Sequence, residues 1–245
     1  MKTNKKSETY TRRASTLGFL MIITLTVMIG GSSVALAQLE GIEKPKLTEP
    51  GVFTLQGEFV RMAYNGEGFV TLGYRTANSS VGDEWLLLEM GITLRNKVKE
   101  QTLTREDLTI LTPSGKTIPL APQKDFSAAN LMALDRRANL VRDSINYFPL
   151  GARHACTLHF FSDLSGHGRT IAYDQVSLNY QRACVGRIYF HIPDGIEVGQ
   201  HFLNVKFAES TVQVPFRIFT KAEEKEFRKM WKTLKQEHEE GFGQE

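Results

Sequence analysis

The chain has 245 residues, 41% of them hydrophobic and 23% charged, and a formal net charge of +3. Five of its 30 lysine and arginine residues, but only one of its 27 acidic residues, fall within residues 1–37, so the remaining 208 residues carry 25 basic and 26 acidic side chains and a net charge of −1. This balance argues against a nucleic-acid binder, which needs a basic face or stripe. The 208 residues are enough for one sizeable domain.

Residues 1–37 have the organisation of a signal peptide for export. Basic residues precede a largely apolar run from Leu17 to Ile29, and Ala35 and Ala37 supply a small-x-small cleavage site before Gln38. The apolar run is shorter than the ~20 residues that a spanning helix needs, which favours cleavage over an uncleaved anchor. Both alternatives place the rest of the chain in the periplasm or outside the cell, and only the second one ties it to a membrane, through this segment alone.

The chain has two cysteines, Cys156 and Cys184, and both follow the predicted leader. An even number of cysteines in an oxidising compartment favours a disulfide over two free thiols. Cys156 alternates in step with Leu158, and Cys184 with Ile188, so both sulfur atoms are expected to point into the same core. The alternative is two buried, reduced thiols that act as small hydrophobic side chains.

Most of the chain after the linker at residues 38–50 alternates between apolar and polar residues, which indicates half-buried strands. Asn65-Gly66 predicts a hairpin turn with positive φ at both residues. Residues 184–207 are organised as two strands joined by a turn at Pro193-Asp194-Gly195. Further strands are predicted within residues 85–94, 108–111, 117–120, 156–161, 171–180 and 212–218.

Two segments instead follow helical spacing. Apolar residues three and four positions apart predict one helix near residues 127–148, whose other face carries Arg136, Arg142 and further charged and amide side chains. That face is interpreted as a solvated surface with ion pairs or, alternatively, as an anion or partner site. Residues 220–245 are predicted to form a charged amphipathic helix and tail, whose apolar residues Phe227 and Trp231 either dock on the domain or bind a partner.

Short strands separated by turns predict a mainly β fold for residues 51–219, an antiparallel β-sandwich with one inserted helix near residues 127–148 and a C-terminal helix. An Asn-Ser-Ser at residues 78–80, a Ser-Gly-Lys hairpin at residues 114–116 and the run Gly-x-Ile-x-Phe-x-Ile-Pro-Asp-Gly at residues 186–195 occur in this order. In this order of features the chain resembles the small immunoglobulin-like sandwich modules of exported bacterial proteins. The resemblance implies an extracellular binding or accessory domain, since the fold itself supplies no function.

One segment concentrates side chains that bind metals. His154, His159, Asp163 and His167 lie within fourteen residues, and imidazole and carboxylate groups are suitable ligands for zinc or copper. Their spacing does not place them on one face of a strand, so surface histidines beside a glycine turn are the alternative interpretation. No nucleophile motif with a strained elbow is present, and neither a catalytic residue nor a cofactor is predicted.

The sequence therefore predicts an exported, non-enzymatic binding or accessory module that contacts a protein or another component of the cell envelope. A metal-binding protein that uses the histidine-rich segment at residues 154–167 is one alternative. A structural module tethered by an uncleaved leader is the other.

Overall fold

The computed structural model of the protein describes residues 52–162 and 171–242, and this part of the chain is mainly β-structure. Its strands are β1 (Val52–Gly57), β2 (Val60–Tyr64), β3 (Gly68–Gly73), β4 (Trp85–Leu94), β5 (Gln101–Thr104), β6 (Leu108–Leu111), β7 (Thr117–Pro119), β8 (His154–Thr157), β9 (Gln175–Leu178), β10 (Arg182–His191), β11 (Gly199–Lys206) and β12 (Thr211–Ile218). Its helices are α1 (Arg75–Asn78), α2 (Gln123–Ala128), α3 (Met132–Leu140) and α4 (Lys221–Phe242), with a 3-10 turn at Arg105–Asp107.

The strands form two larger sheets and one small ribbon. The six-stranded sheet has the order β1-β2-β3-β4-β10-β8, the four-stranded sheet has the order β12-β11-β6-β7, and β5 pairs with β9. Neighbouring strands are antiparallel, as predicted, except that β8 runs parallel to β10. The two sheets pack together through contacts such as the ring of Tyr74 against Phe216, with centroids 5.8 Å apart.

The turn at residues 193–195 is confirmed, because Gly195 takes a φ of +85° and its N–H bonds to the carbonyl of Ile192. The two strands that it joins do not pair with each other: β10 lies in the six-stranded sheet and β11 in the four-stranded one. This turn therefore carries the chain from one sheet to the other.

The hairpin at Asn65-Gly66 is also confirmed, since β2 and β3 pair on either side of it. Its turn differs from the expectation, because the positive-φ residues of the described chain do not include Asn65 or Gly66. Asn65 acts through its side chain instead, whose Oδ1 accepts hydrogen bonds from the backbone N–H groups of Glu67 and Gly68 at 2.8 and 3.1 Å.

The prediction of one helix near residues 127–148 is wrong. Helix α2 ends before Ala129, which is extended with a ψ of 144°, α3 ends at Leu140, and residues 141–148 have no regular structure. The buried side chain of Ile145 and the ring of Phe148 nevertheless pack on the sheet. The carbonyl of Ile145 accepts a hydrogen bond from the Thr71 hydroxyl at 3.0 Å, so this carbonyl is used by the sheet and not by a helix.

These segments cover the second face of the six-stranded sheet, which the alternation had suggested would be exposed. Tyr189, which the pattern places outside, is 3% exposed because it packs against Phe126 of α2 and Phe161. A Cβ at Gly91 would lie 2.7 Å from the ring of Phe148, so glycine is needed for this close approach. Strands β4 and β10 are consequently covered on both faces.

The C-terminal helix docks through its first turns. Thr220 and Glu223 form a capping box at its start, with hydrogen bonds of 2.8 and 3.2 Å. Phe227 is 5% exposed and stacks on Phe219, whereas Trp231 is half-buried and Leu234 is 37% exposed. Within the described residues, no helix combines the length and the apolar character needed to cross a membrane.

Candidate binding cleft along strand β8

The charged face of helix α3 is folded onto the sheet. Arg187 of β10 lies 2.5 Å from Asp135 and 3.6 Å from the buried carboxylate of Glu89, which Arg142 approaches to 3.2 Å. Burial raises the pKa of Glu89, and the two arginines oppose that shift. Arg142 therefore forms an ion pair, as one of the two interpretations of this face expected. Arg136 is exposed and makes no ion pair with any described residue.

The predicted metal ligands are only partly within the described chain. His154 is exposed at the start of β8, and His159 is half-buried two residues past its end, beside the ring of Tyr173. Asp163 and His167 lie outside the described residues. Across residues 52–162 and 171–242, no group of three or more histidine, cysteine, aspartate or glutamate side chains is arranged to hold a metal ion. The four-residue site stays a prediction, which isothermal titration with zinc and copper tests.

Strand β8 is held in place by the disulfide. Cys156 and Cys184 are paired directly across β8 and β10, with their Cα atoms 4.1 Å apart, and they form the predicted bond. Cys184 is fully buried and Cys156 half-buried. Gly186 permits the close approach of the chain that follows β8, since a Cβ there would lie 2.6 Å from the carbonyl oxygen of Leu158.

The outer edge of β8 is the end of the six-stranded sheet. The backbone N–H of His154 donates to the carbonyl of Gln181, just before β10, at 2.8 Å, and that of Leu158 donates to the carbonyl of Val185 in β10 at 2.9 Å. Because these groups alternate along a strand, the N–H and C=O groups of Ala155 and Thr157 point away from β10. No described residue forms a hydrogen bond to them, and both residues are exposed.

A cleft opens on each side of this edge. The polar cleft lies on the side of Cys156, and its lining residues are His154, Ala155, Cys156, Asn179, Gln181 and Arg182. Asn179 shapes its wall, because its Oδ1 accepts hydrogen bonds from the backbone N–H groups of Gln181 and Arg182 at 3.0 and 3.1 Å. Arg182 is exposed, and its guanidinium forms no ion pair with a described carboxylate.

The apolar groove lies on the opposite side of the strand. Its floor is formed by Ala155, Ala183 and Val185, and its wall by Phe148 and Leu150. Leu150 is 92% exposed and adds apolar surface to this wall. Arg153 borders the groove and donates from Nε to the carbonyl of Leu150 at 3.1 Å.

Sequence reasoning identified only part of this region. The sequence predicted His154 as a metal ligand and the two cysteines as a disulfide, and neither prediction concerned a binding cleft. The parallel pairing of β8 with β10, which creates the edge and both clefts, has no signal in the alternation pattern. The position of Leu150 in the wall of the apolar groove likewise has no signal in the alternation pattern.

The clefts are open to solvent and flanked by cations and amides. Such a surface is suited to holding an anionic or extended ligand, and its described residues contain no paired acid and nucleophile. No known protein family, curated protein or solved structure matches the chain.

Proposed function

We propose that the protein is an exported, non-enzymatic binding or accessory module of the cell envelope, whose ligand or partner lies along strand β8. The observation that carries the proposal is the open edge of β8 between two clefts, with Arg182 lacking a carboxylate partner among the described residues. The Cys156–Cys184 disulfide links this edge covalently to strand β10. The proposed binding surface is therefore ordered before a partner binds, which lowers the entropic cost of binding.

Export is part of the proposal. The disulfide fits an oxidising compartment, and the basic and apolar organisation of residues 1–37 supports a signal peptide. N-terminal sequencing of the exported protein is expected to begin at Gln38. Retention of Met1 in a membrane fraction would instead support the alternative of a tethered structural module.

The immunoglobulin-like class is likewise a proposal. Two mainly antiparallel sheets that pack face to face support it. Two features depart from antibody domains, in which the disulfide joins the two sheets: here the bond links neighbouring strands of one sheet, and those strands run parallel. The strand pairing of residues 38–245 measured by NMR, compared with the strand order of that class, tests the assignment.

Capture from the native envelope tests the binding function. Residues 38–245 are immobilised and incubated with the detergent-solubilised envelope fraction of the source cell, and the bound material is identified. Arg182→Glu is expected to lose the captured partner. Arg136→Glu makes the same charge change at an exposed arginine of α3 and is expected to retain it. Equal capture by both variants would exclude the β8 region as the binding surface.

A further inference from the structure

We infer that strand β8 binds an extended peptide segment, in which apolar and acidic residues alternate, as an additional strand of the six-stranded sheet. The inference rests on the proposed binding function and names the class of its ligand. It follows from three properties of the same edge: its backbone groups, with which no described residue pairs, the different character of its two sides and its charge.

The backbone of β8 provides the pairing groups. The N–H and C=O groups of Ala155 and Thr157 point away from β10 and have no hydrogen-bond partner among the described residues. An extended peptide placed beside them completes four hydrogen bonds, as in other cases of strand addition to a sheet edge. The Cys156–Cys184 bond fixes β8 against β10, so the edge is ready to pair without rearrangement.

The two sides of the edge select the side chains of the peptide. Successive residues of an added strand point to opposite faces of the sheet. Residues opposite Ala155 and Thr157 enter the apolar groove beside Phe148 and Val185, whereas their neighbours enter the polar cleft beside His154 and Arg182. An alternating apolar and polar peptide therefore matches both clefts at once.

Charge determines which polar residue is accepted. Arg182 and His154 are paired neighbours across the two strands and reach the same cleft, and both are exposed. Neither forms an ion pair with a described carboxylate, and the other lining residues of the cleft are Ala155, Asn179, Gln181 and Cys156, none of which is a carboxylate. A glutamate or aspartate of the peptide fits this cleft, because it supplies the carboxylate that Arg182 lacks.

The probe is a fluorescein-labelled nine-residue peptide that alternates valine and glutamate, with binding followed by fluorescence anisotropy to residues 38–245. The same peptide with lysine in place of glutamate is the charge control. A peptide N-methylated at alternate residues is the backbone control, because it lacks the N–H groups that pair with the edge. Only the unmodified valine–glutamate peptide is expected to bind, and equal binding of the N-methylated peptide would overturn strand addition.

Thr157→Pro tests the edge itself. It removes an outward N–H without touching the pairing with β10, since proline is tolerated where a strand N–H faces solvent. The variant is expected to weaken peptide binding at least about tenfold. Arg182→Glu is expected to do the same, and the matched variant Arg136→Glu to bind as wild type. An unchanged melting temperature shows that Thr157→Pro is folded.

Three outcomes separate this inference from the proposed function. If Thr157→Pro captures the envelope partner as well as wild type while Arg182→Glu does not, the surface binds a ligand but strand addition is wrong. If polygalacturonate binds with dependence on Arg182 and the peptide does not, the ligand is an acidic glycan and the peptide assignment is overturned. If wild type captures no envelope partner, the binding function itself fails, whatever the peptide does.

Discussion

The outer edges of strands β12 and β8 differ in how the protein protects them. Along β12, Pro215 lacks an N–H group, and the side chain of Asn78 binds the backbone at both its polar atoms. Its Nδ2 donates to the carbonyl of Arg217 at 3.1 Å, and its Oδ1 accepts from the N–H of Phe219 at 2.8 Å. These are recognised ways of preventing a sheet edge from pairing with another chain.

The edge of β8 has neither device among the described residues. Its protection is limited to its length of four residues, and both of its flanks are clefts. The same chain therefore blocks one edge with a proline and a buried asparagine and leaves the other accessible, although a disulfide holds it in place. The edge of β8 is also the one beside Arg182, which has no carboxylate partner among the described residues, and we therefore place the proposed binding surface there.

The largest loss of stability is expected when the disulfide that holds the edge of β8 is removed. The double variant Cys156→Ser/Cys184→Ser removes a bond that closes a loop with a sequence separation of 28, which on the chain-entropy model costs about 3 to 4 kcal/mol of unfolding free energy. Guanidinium unfolding followed by tryptophan fluorescence measures this loss. Adding a reducing agent should lower the stability of wild type and leave the double variant unchanged, and a loss below about 1 kcal/mol would show that β8 is held by its pairing alone.

The four-stranded sheet, which ends at β12, contains an acid-sensitive side chain. His201 of β11 is fully buried and stacks on Phe216 of β12, with ring centroids 5.2 Å apart, and burial lowers its pKa to about 4. Its Nδ1 contacts the carbonyl of Gly199 at 3.1 Å, and Glu197 weakly favours the charged form. The folded protein therefore holds this imidazole neutral.

Stability should consequently fall as the pH is lowered. Between pH 6.5 and about 4 the unfolded chain binds a proton at this position and the folded chain does not, so the contribution is complete above pH 6.5 and is lost as the pH falls to about 4. The pKa difference corresponds to about 3 kcal/mol. Urea unfolding at a series of pH values measures it, and His201→Gln should remove this component of the slope. An unchanged slope in the variant would assign the acid sensitivity to other groups.

The sequence predicted individual strands and the disulfide better than it predicted how helices and loops pack on the sheets. The parity of Cys156 and Cys184 predicted the disulfide, because alternation depends on each strand alone. Apolar spacing in residues 127–148 suggested one helix, yet two short helices and an extended segment satisfy the same spacing. Which of these forms depends on contacts with the sheet, such as the hydroxyl of Thr71 on the carbonyl of Ile145, and these contacts have no signature within the segment.

The candidate site was less predictable for the same reason. His154 was identified because histidine is a chemically distinctive residue, but its neighbour Arg182 is 28 positions away in the chain. The two meet because β8 adds to β10 in parallel, with Arg182 opposite His154. Long-range pairing of this kind is fixed by the assembly of the sheet, so a single sequence read locally contains no cue for it.

A smaller loss of unfolding free energy is expected when the asparagine that covers the edge of β12 is removed. Asn78→Ala leaves the carbonyl of Arg217 and the N–H of Phe219 without the asparagine side chain, and the N–H of Phe219 is buried. Leaving such groups unsatisfied costs about 1 to 3 kcal/mol, which thermal and urea unfolding measure. Ser79→Ala is the matched control, since its hydroxyl bonds only to the carbonyl of Thr76 at 2.8 Å, and its loss should stay below about 1 kcal/mol. Equal losses would show that Asn78 does not protect β12.

The smallest loss of stability is expected when proline replaces a residue on the open edge of β8. Thr157→Pro should change the unfolding free energy by no more than about 0.5 kcal/mol, because the N–H that it removes faces away from β10 and the exposed side chain buries little surface. Leu158→Pro should be less stable than Leu158→Ala by about 1 to 3 kcal/mol, since the N–H of Leu158 donates to the carbonyl of Val185 at 2.9 Å. If proline lowers the unfolding free energy at residue 158 but not at residue 157, the stability data alone would establish which backbone N–H groups pair with β10 and which do not. If both positions reject proline equally, the outer edge of β8 is already occupied in the folded protein, and it is then closed like the edge of β12.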